Sequence, residues 1–151
     1  MRALALDLGK TTGFAYANGA QRRSMFEEFP AGVHNVYPMF WRQLTRLLDH
    51  EKIEEVVYED PKFNRGFSYI PGLIALLIVA CKERDIPTFA CTVQEVKKTA
   101  TGKGNATKEE MKAALPDEMR LWVADQEDAI DAAWVLEWYL RNRETTGSQL
   151  S

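Results

Sequence analysis

The chain has 151 residues, a length that fits one domain. A composition of 46% hydrophobic and 27% charged residues is that of a globular chain and excludes the fibrous and disordered classes. The formal net charge of −3 argues against a uniformly basic nucleic-acid binder. The longest apolar run, Ile70 to Cys81, is shorter than the ~20 residues a membrane span needs and contains Pro71 and Gly72.

Asp7 cuts the N-terminal apolar stretch Ala3–Leu6 before a secretory segment can form, so the expectation is a cytoplasmic protein, in the host cytoplasm if the source is viral. Cys81 and Cys91 sit in apolar stretches and read as buried free thiols. His34 and His50 have no partners at zinc-ligand spacing, so chemistry falls to carboxylates and lysines.

In chain order, residues 1–8 alternate small and large apolar side chains and predict a buried strand. Residues 9–13 predict a turn, and a second strand follows from Phe14 to Ala17. Asn18-Gly19 is a two-residue hairpin signal, with a third strand returning over residues 21–29. Apolar residues at Val36, Met39, Phe40, Leu44, Leu47 and Leu48 predict a helix over 33–50. A short strand over 56–59, a buried helix over 67–84, a strand over 87–92 and a short helix over 93–99 come next. Residues 101–106 form a glycine-containing loop. Thr107 with Glu110 predicts a capping box opening a helix to about Leu115. A last helix is expected over 125–142. The strand-helix-strand units require parallel pairing in part of the sheet, giving an α/β domain with a mixed five-stranded sheet flanked by helices. A single domain over residues 1–144 and a polar, disordered tail over 145–151 are expected.

Charge is unevenly distributed. Residues 97–112 hold five lysines against two acids, and residues 117–137 hold seven acids against one arginine. Such a layout suits an enzyme that grips phosphates with one part and holds a divalent metal with another. Asp7 lies in an otherwise apolar strand, where an uncompensated charge costs several kcal/mol. Glu59 ends the apolar strand Val56-Val57-Tyr58. Asp125, Asp128 and Asp131 recur every three residues near a helix start and are expected to share one face. The aspartate run and Glu59 each have a plain structural explanation alone, since carboxylates favour helix N-termini and strand ends, whereas a buried strand has no structural need of Asp7. Together, carboxylates from a first strand, a middle strand and a late helix can converge above a sheet, and such a cluster needs a cation. Oxygen-only ligation selects Mg2+ or Mn2+.

Four segments carry a family resemblance. They are residues 4–15 (Leu-Ala-Leu-Asp-Leu-Gly-Lys-Thr-Thr-Gly-Phe-Ala), Val57-Tyr58-Glu59, the lysine-glycine segment 96–108, and Asp128-Ala129-Ile130-Asp131-Ala132-Ala133. In order and approximate spacing they resemble the RuvC family of Holliday junction resolvases, with the short length and aromatic-rich middle more similar to its phage-type members. The resemblance implies an RNase H-like fold, a homodimer, and a crossover junction endodeoxyribonuclease acting on four-way or other branched DNA. It implies Mg2+ as cofactor, two ions per site, with Mn2+ able to substitute. It assigns Asp7 and Glu59 to the metal. It also assigns either Asp125 with Asp128 or Asp128 with Asp131, and Lys97 and Lys108 to phosphates near the cut, Lys108 as a catalytic group.

The remaining assignments concern choice of register and DNA contacts. The first aspartate pair is preferred, because it lies at the very start of the helix and keeps the bulky Trp134 away from the metal. Lys98 and Lys103 are expected to contact DNA as well. Phe63, Phe67 or Tyr69 is expected to wedge open the crossover, Phe63 foremost. Two other readings remain open. The segment Asp7-Leu8-Gly9-Lys10-Thr11-Thr12-Gly13 also resembles the phosphate loop of actin-like kinases, although 151 residues supply only one of the two lobes those proteins need. An RNase H-like nuclease acting on structured RNA would carry the same carboxylates.

Overall fold

Three antiparallel strands open the chain: β1 (Arg2–Asp7), β2 (Thr11–Asn18) and β3 (Gln21–Glu28). Helix α1 (Val33–His50) leads to β4 (Glu55–Glu59), α2 (Ile70–Glu83) and β5 (Thr88–Cys91). Four helices complete the order: α3 (Val93–Thr101), α4 (Lys108–Ala113), α5 (Asp117–Arg120) and α6 (Glu127–Thr146). The structure is a computed structural model that describes residues 1–62, 66 and 68–146, the last three as backbone only. Both β4 and β5 pair in parallel, β4 beside β1 and β5 beside β4, so the sheet order is β3-β2-β1-β4-β5. This is the mixed five-stranded sheet expected from the sequence.

The alternation in β1 divides two helical layers. Leu4 and Leu6 point with Phe14, Val56 and Tyr58 into a core shared with α1 and α2. Ala3 and Ala5 point with Ala15, Ala17 and Val57 into a core shared with α3, α4 and α6. Small residues on this second face, matched by Ala132 and Ala133 of α6 and by the buried Ala129, let the last helix lie close to the sheet. Gly13 marks the tightest approach. A Cβ built there would stand 1.9 Å from the Asp128 carbonyl oxygen, which no side chain tolerates. The start of α6 therefore rests directly on the backbone of β2.

Several boundaries differ from expectation. β2 begins at Thr11 rather than Phe14, because the turn is shorter than expected. The buried Thr12 hydroxyl donates to the Gly9 carbonyl at 2.7 Å and closes that turn from inside. α5 is a four-residue helix without apolar periodicity to announce it. α6 begins at Glu127 instead of Asp125 and runs to Thr146, into the segment expected to be a tail. No helix among the described residues is long and apolar enough to cross a membrane.

Candidate active site

β1 and β4 are parallel neighbours with Leu6 beside Tyr58, so the next residues, Asp7 and Glu59, leave the sheet side by side. Strand alternation places both on the face shared with Ala5 and Val57, toward α6. There they meet Asp128 and Asp131, which lie one helical turn apart near the start of α6. These four carboxylates line one cavity of about 280 Å³ together with Lys97 and Lys108. Apolar Val96 and Met111 form part of its wall.

The electrostatics reflect crowding. Burial holds the Asp7 carboxyl well above its ordinary value, and Asp131, Glu59 and Asp128 push it further the same way. Side-chain hydrogen bonding with Asp128 acts in the same direction. Glu59 is pushed up to about 7, by burial first and then by Asp131, with Lys97 and Lys108 pulling it down. Asp131 rises to about 6, mainly through burial; Lys108 opposes this, while Asp128 and Glu127 reinforce it. Four carboxyl groups facing one space, each with oxygen lone pairs, make a donor set suited to a hard divalent cation. Among the described residues no three His, Cys, Asp or Glu side chains are gathered into a ready-formed metal cage, so the carboxylates border a shared space rather than clasp one point.

The lysines are placed by caps. Thr92 accepts from the Glu95 amide at 3.1 Å and starts α3, which carries Lys97 to the cavity. Gly102, at φ +83° in the left-handed region, ends α3 and sends its amide to Lys98 O at 2.9 Å. The expected capping box is present: Thr107 accepts from the Glu110 amide at 3.2 Å, and α4 begins with Lys108. Lys103 is exposed and paired with Glu110 at 3.3 Å. Lys98 is exposed on α3, outside the cavity.

The geometry sets the two aspartates of the preferred pair apart. Asp125 precedes α6, is 80% exposed at its side chain, and pairs with Lys112 at 2.8 Å instead of lining the carboxylate cavity. The helix starts later than expected because Gln126 caps it, its side-chain oxygen accepting from the Ala129 amide at 2.8 Å. Asp125 consequently shares no helical face with Asp128, and Asp131 takes the place beside it. Trp134 does not obstruct this register. It is buried, and its indole N–H donates to Met111 O at 3.1 Å, under α4. The same Gln126 is a site residue the sequence did not single out: its amide donates to Asp128 Oδ2 at 2.8 Å and aims that carboxylate. Tyr69 stands just before α2 with its hydroxyl accepting from the Gly32 amide at 2.7 Å, an anchoring contact between the loop before α1 and the start of α2. The suggested wedge residues Phe63 and Phe67 lie outside the described residues.

Comparisons with known proteins point one way. A Crossover junction endodeoxyribonuclease RuvC from Pseudothermotoga lettingae is 29% identical over 82 residues, covering 51% of this chain and about half (49%) of that protein's length. The Thermus thermophilus RuvC structure superposes with a TM-score of 0.72 at 22% identity, over 94% of this chain and 96% of that one. T. thermophilus RuvC in complex with Holliday junction substrate gives 0.71 at 21% identity, with the same coverage of both chains. No family model matches the chain. Strand order, the helical layers on both faces and near-complete superposition establish that this chain has the RuvC fold, an RNase H-like α/β sheet flanked by helices.

Proposed function

We propose that this chain is a divalent-metal-dependent, structure-selective endonuclease that resolves four-way DNA junctions by phosphodiester hydrolysis. The observation that carries this reading is the convergence of Asp7, Glu59, Asp128 and Asp131 on one cavity beside Lys97 and Lys108, in a fold shared with RuvC. A RuvC of that fold is known in complex with a Holliday junction, which supports the same substrate class here.

In this reading the four carboxylates would hold Mg2+ or Mn2+, and Asp125 would not. A bound ion would supply positive charge for activating water and for stabilising the leaving oxygen. The chain's own groups do the rest. Asp7 would ligate as the carboxylate, the form that a bound cation favours against burial. Gln126 keeps Asp128 turned toward the cavity. Lys97 and Lys108 face the phosphate and offset the negative charge that grows on it during attack. Lys98 and Lys103 extend the basic segment outward, where exposed ammonium groups meet flanking phosphates.

A homodimer completes the proposal. α2 turns Leu73, Leu77, Ala80 and Cys81 into the core and leaves Ile78 and Val79 44% and 48% exposed. Val79 and Leu76 border an open groove of about 700 Å³ with Tyr37 and Trp41 of α1, an apolar surface of the sort a subunit partner covers. Twofold symmetry then matches two sites to two symmetric strands.

The test is incubation with a labelled four-way junction, its matched linear duplex and a structured RNA, each with Mg2+ or with chelator. Selective cutting of the junction in Mg2+ is expected. Selective cutting of the RNA would transfer the same site to a different polymer, and cutting of nothing would refute the reading.

A further inference from the structure

A second cavity, of about 500 Å³, adjoins the carboxylate cavity, and Lys108 and Asp131 border both. Its rim is made by two ion pairs between α4 and the entry to α6. Lys108 is bound to the Glu127 carboxylate, and Lys112 to Asp125 at 2.8 Å. The two lysines are four residues apart and stand on one face of α4. The two carboxylates flank Gln126, the residue that caps α6 and aims Asp128.

These pairs are not what fixes α4 in place. Met111 is buried beneath the helix, and the Trp134 indole holds its carbonyl at 3.1 Å. All four charged side chains are about half exposed or more, and ion pairs in such surroundings are worth only about 0–1 kcal/mol. A competing anion can therefore exchange for either carboxylate at little cost. The carboxylates nonetheless occupy the cationic groups nearest the active site on this side.

We propose that Asp125 and Glu127 are internal stand-ins for backbone phosphates. They hold Lys112 and Lys108 in the free protein and are displaced when a phosphodiester group of the bound strand enters this second cavity, next to the cleavage site. The inference rests on the nuclease reading above and adds a phosphate subsite and a competitor built into the chain. It gives Lys112 a role in binding and Asp125 a role distinct from metal ligation. Glu127 directly precedes Asp128, so the subsite would place a flanking phosphate beside the carboxylates of the cavity.

The test is affinity for an uncut four-way junction in chelator, at fixed salt, for Glu127→Gln and Asp125→Asn. Each is expected to bind about two- to fivefold more tightly than wild type, the fold-change that corresponds to an exposed ion pair of up to ~1 kcal/mol. The gain from Glu127→Gln should vanish in a Lys108→Ala background, and that from Asp125→Asn in a Lys112→Ala background. Glu109→Gln removes an equal charge from the same rim and should give a smaller gain. Gains that persist without the lysines, or that Glu109→Gln reproduces, would mean general charge reduction and overturn the proposal. So would unchanged affinity of both variants when wild type binds the junction, and that result would leave the nuclease reading intact. Failure of wild type and of the combined Asp125→Asn/Glu127→Gln protein alike to bind branched DNA would overturn both. Binding by the combined variant alone would support the clasp.

Discussion

Asp7 and Glu59 end two neighbouring parallel strands, and their chemistry follows from that position. Each emerges from an apolar strand into a space already holding two helix carboxylates, so burial and repulsion favour the protonated forms. Acids whose folded pKa lies above the ordinary value bind more protons folded than unfolded. Stability contributed by Asp7, Glu59 and Asp131 is therefore greatest at acid pH and declines as pH rises above the ordinary carboxylate range, through about 6 for Asp131 and about 7 for Glu59. The lowered carboxyls of Asp49, Glu110 and Asp125 act in the opposite sense, at pH values below that window. Thermal melts in chelator should show a Tm several degrees lower at pH 8 than at pH 5.5, and Asp7→Asn should shrink the difference. A pH-independent gap between wild type and variant would contradict the coupling. Lys108→Ala should reduce the cutting rate by more than it reduces junction affinity, because its ammonium borders the carboxylate cavity itself. Equal losses in both would make it a grip alone. Among these residues, Asp7 was legible because a charge is out of place in an apolar strand. Which aspartate stands beside Asp128 in the cavity was not, because aspartate is a favoured N-cap and Asp125 looked like the first residue of α6, whereas a less common glutamine cap displaced the helix start.

The small face of β1 and β2 allows α6 to approach, and Gly13 sets how near it comes. Gly13→Ala would force the Asp128 backbone away from β2, with a cost of about 1–3 kcal/mol by analogy with overpacked cores. Cutting should fall by at least tenfold, since a misplacement of about 1 Å in a catalytic constellation costs about 100-fold. Urea unfolding and junction cutting measured on the same preparation check both effects, and full activity would show that the close approach is dispensable. Hydrophobic periodicity made α1 legible to the residue, at Val33–His50. The capping box made the start of α4 legible, with Thr107 and Glu110 satisfying each other's backbone donors. α5 was not legible, because four residues cannot show a helical period. Thr12 explains the early start of β2: a hydroxyl that satisfies the turn internally needs fewer turn residues than the glycines at either side suggest.

At the scale of the molecule, one sheet separates a layer that builds the site from a layer that leaves α2 partly uncovered. The division was readable from the alternation of alanine and leucine in β1, but the depth of burial of α2 was not, since a helix apolar all round looks alike whether one side or both are covered. Val79→Asp should convert a dimer to a monomer in light scattering at micromolar concentration, with little change in the fold, because Val79 is 48% exposed. A wild-type protein that is monomeric with and without junction DNA would remove the dimer from the account. A net charge of −3 makes DNA binding depend on the local lysine segment, so affinity should fall steeply as salt rises. The most direct measurement uses a four-way junction labelled on each strand in turn, incubated in Mg2+ with wild type, Asp131→Asn or Asp125→Asn. Paired incisions in two opposite strands by wild type and by Asp125→Asn, with none by Asp131→Asn although it still binds, are the predicted result. An intact junction with wild type, or wild-type cutting by Asp131→Asn, would contradict it.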